Sequence, residues 1–351
     1  MRTDVTLHQI AWRKLSEMNK PATIKDVAAS VGVSSSTVSA VLGHSPSRHV
    51  RVSEQTRNRI LEAAARIRYQ PNHAARSLRN RRTNVLGVYT AQGYLNPYMP
   101  FTSQIIGGLH LGCDECGKDL LLHGMYRGRP AEEVLAELTG GQIDGLVLYT
   151  GPEDPLVPLL AASALPVVSI VDALPGLPAV VADDAAGSAL LAAHLVALGH
   201  RRIMYIAGSP TLVSAVRRLE AFQSAAVPLG LEVTEFHPAS RHERFSEGDL
   251  TWLDLPRPAR PTAAVCWNDL TAYFLLEECR LRGLCLPDDL AVAGFDGIAP
   301  PHFGPLCLTT IQAPWMEVAR AAIPLLVRLI DGEVIPPETR LPVRLMPGGT
   351  T

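Results

Sequence analysis

Two groups of side chains in this 351-residue sequence have the types and spacing to do chemistry. The first is the run SSSTVSA, in which Ser34, Ser35, Ser36, Thr37 and Ser39 offer hydroxyls and Ala40 a bare methyl, all short enough to let a backbone approach a surface closely. The second is a set of polar residues that end apolar runs. Asp172 ends VVSIV, Asn268 and Asp269 end AAVCW, and Asp296 ends LAVAGFD, and such carboxylates and amides can accept from and donate to the hydroxyls of a small molecule. Catalytic constellations are missing: there is no GxxxxGK[ST] loop, GxSxG elbow, HExxH or strand-linked GxGxxG. His194 and His200 flank the helix end LVALGHRR, where a histidine suits a C-terminal cap. Cys113 and Cys116 form a CxxC in the helical context GLHLGCDECG, with no second pair or nearby histidine, and read as helix residues. The chemistry is therefore binding, with no enzymatic activity, metal or cofactor expected.

The elements that must hold the first group are short helices. Thr23 can cap a helix with Asp26 three residues on, and Ile24, Val27, Ala28 and Val31 follow at helical spacing before Gly32 permits a left-handed turn. Ser34 starts a second helix whose buried side is Val33, Val38, Val41 and Leu42. Helix, glycine turn and helix is also the pattern of a plain helical hairpin, but a helix-turn-helix presents the N-terminal residues of its second helix to the major groove. After a polar loop carrying Arg48, His49 and Arg51, Ser53 caps a third helix with a stripe of Ile60, Leu61, Ala64 and Ile67, and Pro71 ends it. The basic segment PNHAARSLRNRRTN that follows, with Asn72 as a possible cap, reads as a linker that becomes a two-turn helix only against a partner chain or DNA.

Charge supports a polyanion partner. Residues 1–82 hold 15 Lys and Arg against 5 Asp and Glu, a net +10, whereas the rest holds 17 against 29, a net -12. Each phosphate neutralised by such a head releases condensed counterions. Met1–Met18 lacks the apolar run of a secretory signal, no run is long enough to span a membrane, and six scattered cysteines make no disulfide framework, so a reduced, cytoplasmic protein is expected.

From Thr83 onward, VLGVYT, DLLLHGM, GLVLYT, VVSIV, RIMYIAG, AAVCW and LAVAGFD alternate with helical segments such as Gly187 to Leu198. Continuous apolar runs of this kind are buried parallel strands, and their number predicts an α/β body of two doubly wound lobes with a cleft at the strand ends.

Residues 22 to 82 resemble the head of the lactose-repressor/galactose-repressor (LacI/GalR) family of transcription regulators. The resemblance lies in Asp26-Val27-Ala28, Gly32-Val33-Ser34, Thr37-Val38-Ser39, Thr56-Arg57, Tyr69-Gln70-Pro71-Asn72 and Ala75-Arg76-Ser77-Leu78. It continues to about Arg344 through IDGLVL, LGHRRIMYIAG, WND, AGFDG and LTTI, motifs shared with periplasmic sugar-binding proteins. It implies an all-α helix-turn-helix head at 1–70, a hinge at 71–83, a first lobe at 84–183 and 312–342, and a second at 184–311 and 343–351. It also implies DNA contacts from Thr23, Ser34, Ser35, Ser36, Thr37, Ser39, Ala40, Arg51, Asn72, His73, Ala75 and Arg76, with Leu78 of a paired hinge helix wedged into the minor groove. An apolar residue among arginines on a marginal helix suits that wedge independently of the family. Where the family often has an arginine after Thr-Val-Ser, this chain has Ala40, so base readout differs.

For the body the resemblance adds Arg218 as an effector-contacting arginine, Phe245 as an aromatic stacking on the ligand, and Tyr98, Phe101, Ser103 and Gln104 as a further pocket region. With Asp172, Asn268 and Asp296 they describe a polar pocket with an aromatic wall, the form of a carbohydrate site. The expected protein is a homodimeric repressor of double-stranded operator DNA under the control of a sugar or related metabolite; a sugar-binding or transport protein without DNA regulation is the alternative.

Overall fold

A computed structural model describes residues 22–42, 52–70, 82–90, 99–123, 128–238, 245–246, 248–298 and 307–351. Residues 1–20, Arg51, Asn72, His73, Ala75, Arg76, Leu78 and Tyr98 lie outside this set.

The head forms as its local signals dictate. Helix α1, Ile24–Val31, begins where the Asp26 carboxylate accepts from both the backbone N–H and the hydroxyl of Thr23, each at 2.8 Å. These hydrogen bonds, the backbone one foremost, hold the Asp26 pKa below its ordinary value. It ends at Gly32, whose φ of 74° is the left-handed conformation a Cβ would strain. Helix α2, Ser35–Leu42, is capped by Ser34, whose Oγ accepts from the Thr37 N–H at 3.1 Å. Helix α3, Glu54–Arg66, is capped in the same way by Ser53. Val27, Val31, Val38, Val41, Ile60, Ala63 and Ala64 interlock as the head's core. Leu61, expected in the buried stripe, is 46% exposed; Ala63 takes the inward position because the face of α3 turned to α1 and α2 runs through Ile60, Ala63 and Ala64. Arg59 reaches back to the Val31 carbonyl at 2.9 Å and ties α3 to the end of α1.

The chain divides into two compact units, Met1–Thr83 and Asn84–Thr351. The second unit holds two six-stranded sheets. The first has the order β11-β5-β4-β3-β1-β2, from β1 (Val85–Thr90), β2 (Asp119–Leu122), β3 (Gly145–Tyr149), β4 (Val167–Ile170), β5 (Ala179–Ala182) and β11 (Glu338–Leu341), all parallel. The second has the order β12-β10-β9-β8-β6-β7, from β6 (Arg202–Ile206), β7 (Glu232–Phe236), β8 (Ala263–Cys266), β9 (Ala291–Asp296), β10 (Thr309–Gln312) and β12 (Arg344–Met346), with only β12 antiparallel. Central strands such as β3, β4 and β8 are almost wholly buried, as their unbroken apolar runs require. The run DLLLHGM differs: β2 is an edge strand with Leu122 47% exposed, because nothing pairs with its outer side among the described residues.

Between the strands lie α4 (Pro100–Glu115), α5 (Ala131–Leu138), α6 (Leu156–Ala161), α7 (Asp184–Ala197), α8 (Val213–Ala226), α9 (Asp269–Leu281) and α10 (Trp315–Ile330). Helices α4 and α10 pack together, and α10 covers β3, β4 and β5 of the first lobe. Helices α7 and α8 pack together on the second lobe, α7 against β10 and β12 and α8 against β7. The chain crosses between lobes three times, from β5 to α7, from β10 to α10 and from β11 to β12. Three such connections leave the lobes jointed but not free to separate.

Candidate functional site: a buried arginine network between two lobes, and a hydroxyl-lined reading helix

The body site is built where strand ends of the two lobes meet. Asp172 follows β4 of the first lobe, is 1% exposed, and its Oδ1 accepts from the Ser214 N–H at 2.8 Å, at the first turn of α8 in the second lobe. Burial raises its pKa, against the lowering pull of the Ser214 hydrogen bonds and of Arg218. A carboxylate at a helix N-terminus meets the positive end of the helix dipole and its unpaired N–H groups.

One turn further along α8 the Arg218 side chain is 2% exposed and makes three hydrogen bonds. Nε donates to Asp184 Oδ1 at 3.0 Å, Nη1 to the Trp267 carbonyl at 2.8 Å, and Nη2 to Asp296 Oδ1 at 3.1 Å. The guanidinium lies 3.8 Å from the Phe295 ring centroid, a cation–π stack. Burial opposes its charge, but the carboxylates of Asp296 and Asp184 outweigh that and hold its pKa above the usual arginine range. Gly187 makes the stack possible. A Cβ there would stand 2.6 Å from Phe295 Cε2, so only glycine lets α7 accept the ring at this depth. Burial also pushes the Asp296 carboxyl up; Arg218 pulls it down and the nearby Asp269 and Asp184 push it further up.

The remaining candidates divide. Asn268 caps α9, its Oδ1 accepting from the Thr271 N–H at 2.8 Å, and Asp269 accepts from the Ile298 N–H at 2.6 Å and the Thr310 hydroxyl at 2.5 Å. Both side chains thus hold the fold at the strand end. Phe245 packs half-buried against the second lobe's core. Phe101, near the start of α4, lies 5.8 Å from the Tyr149 ring and 5.2 Å edge-on from the Trp315 ring, which places it in an aromatic group beside the network. Ser103 is exposed on α4 and Gln104 half-buried. An open cavity of about 480 Å³ is lined by Tyr89 and Thr150 at the ends of β1 and β3, by Asp154 of the first lobe, and by Thr211 and Leu212 just before α8; Asp172, Arg218 and Asp296 are not part of its lining.

Sequence reasoning missed Ser214, Asp184, Phe295 and Trp315. Asp184 and Ser214 begin helices, and Trp315 directly follows the LTTIQAP run, so position near a strand end was their only signal.

On α2 the hydroxyls are not equivalent. Ser34 Oγ lies 2.7 Å from Ser36 Oγ and 2.8 Å from Thr37 Oγ1, so three of the hydroxyls bond one another around the helix start. Ser35, Ser39 and Ala40 are half-exposed along the rest of the face.

A three-helix unit with a capped, hydroxyl-lined second helix, followed by a two-lobed body with a polar network at the strand ends, defines a DNA-binding regulator with a ligand-binding body. Residues 23–72 match the model of bacterial regulatory proteins, lacI family, and residues 192–351 match a periplasmic binding protein-like domain. The HTH-type transcriptional repressor CytR of Escherichia coli (strain K12) is 30% identical over 336 residues, spanning 93% of this chain and 95% of CytR. A crystal structure of the lac repressor dimer bound to operator and the anti-inducer ONPF has the same fold, with a TM-score of 0.77 at 24% identity over 94% of this chain and 99% of that one. The structure of a transcriptional regulator CelR–cellobiose complex has a TM-score of 0.67 at 27% identity, over 94% of this chain and 100% of that one. The chain belongs to the lacI family of bacterial regulatory proteins, and its function is DNA-binding transcription regulation under the control of a small molecule. No helix among the described residues is long and apolar enough to cross a membrane.

Proposed function

We propose that the protein is a homodimeric repressor that acts in the cytoplasm on a near-palindromic operator and is controlled by a carbohydrate held between the body lobes. It has no enzymatic role. The observation that carries the reading is the Asp172–Ser214 hydrogen bond, which joins the first lobe to the second immediately beside the Arg218 network. A ligand seated against these groups favours one lobe orientation over another, and any difference in its affinity for the two is the free energy available for switching. Asp172, Arg218 and Asp296 are its polar contacts, with Phe101 on the aromatic side. Asn268 and Phe245 act behind them, the first by starting α9 and the second by packing the lobe. At the DNA end, Ser35, Ser39 and Ala40 face base edges, Thr23, Ser34, Ser36, Thr37 and Arg51 fix the head on the backbone, and Leu78 wedges the minor groove with Asn72, His73, Ala75 and Arg76 around it.

The test is duplex binding across a salt series, with an operator selected from a random pool, with and without neutral sugars. Log K is expected to fall by about 0.9 per phosphate contacted. A flat salt response, or equal binding by Asn84–Thr351 alone, overturns the assignment of DNA affinity to the head.

A further inference from the structure

The residue just ahead of the first body strand is held by its N–H, its carbonyl and its side-chain oxygen. Asn84 directly precedes β1, and its φ of 61° puts a non-glycine residue in the left-handed region, which asparagine tolerates because its short polar side chain can bond locally. Its N–H donates to Asp144 Oδ2 at 2.8 Å, its carbonyl accepts from the Asp119 N–H at 2.9 Å, and its Oδ1 accepts from Lys118 Nζ at 2.9 Å. Asp144, just ahead of β3, holds on a second time, since its own N–H donates to the Val85 carbonyl at 2.8 Å. Lys118 is placed by the end of α4, where Gly117 turns left-handed at a φ of 62° and the Lys118 N–H donates to the Cys113 carbonyl at 2.8 Å.

Stability does not account for this arrangement. Asn84 is exposed, Lys118 and Asp144 are half-buried, and polar contacts screened by water in this way contribute little to folding. Position does account for it. The chain before Asn84 is the segment 71–83 that the sequence assigns to the hinge, so the left-handed turn and its three bonds fix the direction in which the backbone leaves β1 for that segment. The choice of a lysine fits too: residues 84–351 hold sixteen arginines and Lys118 as their one lysine, and a compact ammonium suits a single amide oxygen where a guanidinium would present a fork of donors. β1 and β3 pair directly, and their far ends carry Tyr89 and Thr150, which line the cavity. Roughly 20 Å of hydrogen-bonded strand, six residues in β1, therefore connects the cavity wall to this corner of the lobe.

We propose that Asn84, Lys118 and Asp144 are positioning residues for operator binding: they form a joint that sets the direction of the hinge segment, and β1 and β3 carry displacements of the cavity wall to it. This rests on the reading of the hinge with Leu78 as its wedge and goes beyond it, since the three residues act through the hinge and not by contact with DNA. A loosened joint lowers the fraction of molecules whose two hinge segments can meet on the operator, and apparent affinity falls with that fraction. A random duplex, held through its phosphates, needs no such alignment.

The experiment measures affinity for a random duplex and for an operator selected from a random pool by the wild-type chain, together with the unfolding temperature. The full-length variants are Lys118→Met, Asp144→Ala, Asn84→Ala, Asn84→Asp and Leu78→Ala. Lys118→Met and Asp144→Ala should each bind operator about 3- to 10-fold more weakly, keep random-duplex affinity, and unfold within about 4 °C of the wild type. Asn84→Ala, which resists the left-handed turn and lacks the acceptor, should match them. Asn84→Asp, which tolerates the turn and offers Lys118 a carboxylate, should keep operator affinity. Unchanged operator affinity in Lys118→Met and Asp144→Ala overturns the joint, and so does an equal loss on the random duplex, a loss in Asn84→Asp as large as in Asn84→Ala, or a fall in unfolding temperature beyond that limit. Leu78→Ala separates the two readings. If it leaves operator affinity unchanged, the hinge reading fails and the inference with it; if it alone weakens operator binding, the hinge stands and only the joint falls.

Discussion

Replacing Arg218 by methionine keeps the length and apolar stem of the side chain and removes its charge. In the wild type the guanidinium makes three hydrogen bonds, two of them to carboxylates, and stacks on Phe295. Arg218 and Asp184 have side chains 2% exposed and Asp296 15%, so the two acids cannot turn to water when the arginine is gone. Removing one partner of a buried ion pair costs about 3–5 kcal/mol, because the remaining charge is left desolvated. For a unit the size of Asn84–Thr351, at roughly 2–4 °C per kcal/mol, the unfolding temperature should fall by about 6–20 °C. The pH dependence gives a second reading. Without Arg218 the folded-state pKa of Asp296 rises further above its unfolded value, so its folded form is favoured at low pH and that stability is lost as pH rises through the raised pKa. Differential scanning calorimetry at pH 5 and pH 8 should therefore show a smaller gap between variant and wild type at pH 5. A loss below about 1 kcal/mol, the worth of an exposed pair, or a gap that does not change with pH, refutes the claim that Arg218 holds this network together.

Two other substitutions probe the elements that position each site. Gly187→Ala puts a methyl against Phe295 and should lower stability by about 1–3 kcal/mol in chemical denaturation, and an unchanged midpoint means α7 can retreat from the ring. Ala40→Arg gives α2 a bidentate donor and should change the preferred base at one half-site position by about 1–3 kcal/mol in selection from a random pool; the same selected sequence from both proteins would remove Ala40 from the readout.

What the sequence determined by itself was local. Thr23 with Asp26, Gly32, Ser34 and Ser53 mark helix ends because a cap and its orphan N–H lie within three or four residues, and the apolar runs mark strands because a strand buried on both faces needs no polar side. The family was legible for the same reason, since its motifs are turns and caps. Asp172 and Asp296 were found because a strand's end can be seen in the sequence. What those residues touch could not be seen. Arg218 finds its partners 34, 49 and 78 residues away, and Arg59 its carbonyl 28 residues away. β11 and β12, separated by two residues, pair in different sheets. Leu61 and Leu122 match the apolar pattern yet face water, because exposure depends on which neighbour covers a face. Asn268 was legible as a polar residue at a strand end, but that its Oδ1 accepts from Thr271 N–H at 2.8 Å and starts α9 is seen only in the structure. Likewise the sequence contains Asn84 and Asp144 but not the bond between them, 60 residues apart: which partner a polar atom finds depends on every chain segment packed around it, and that is fixed only when the lobes fold.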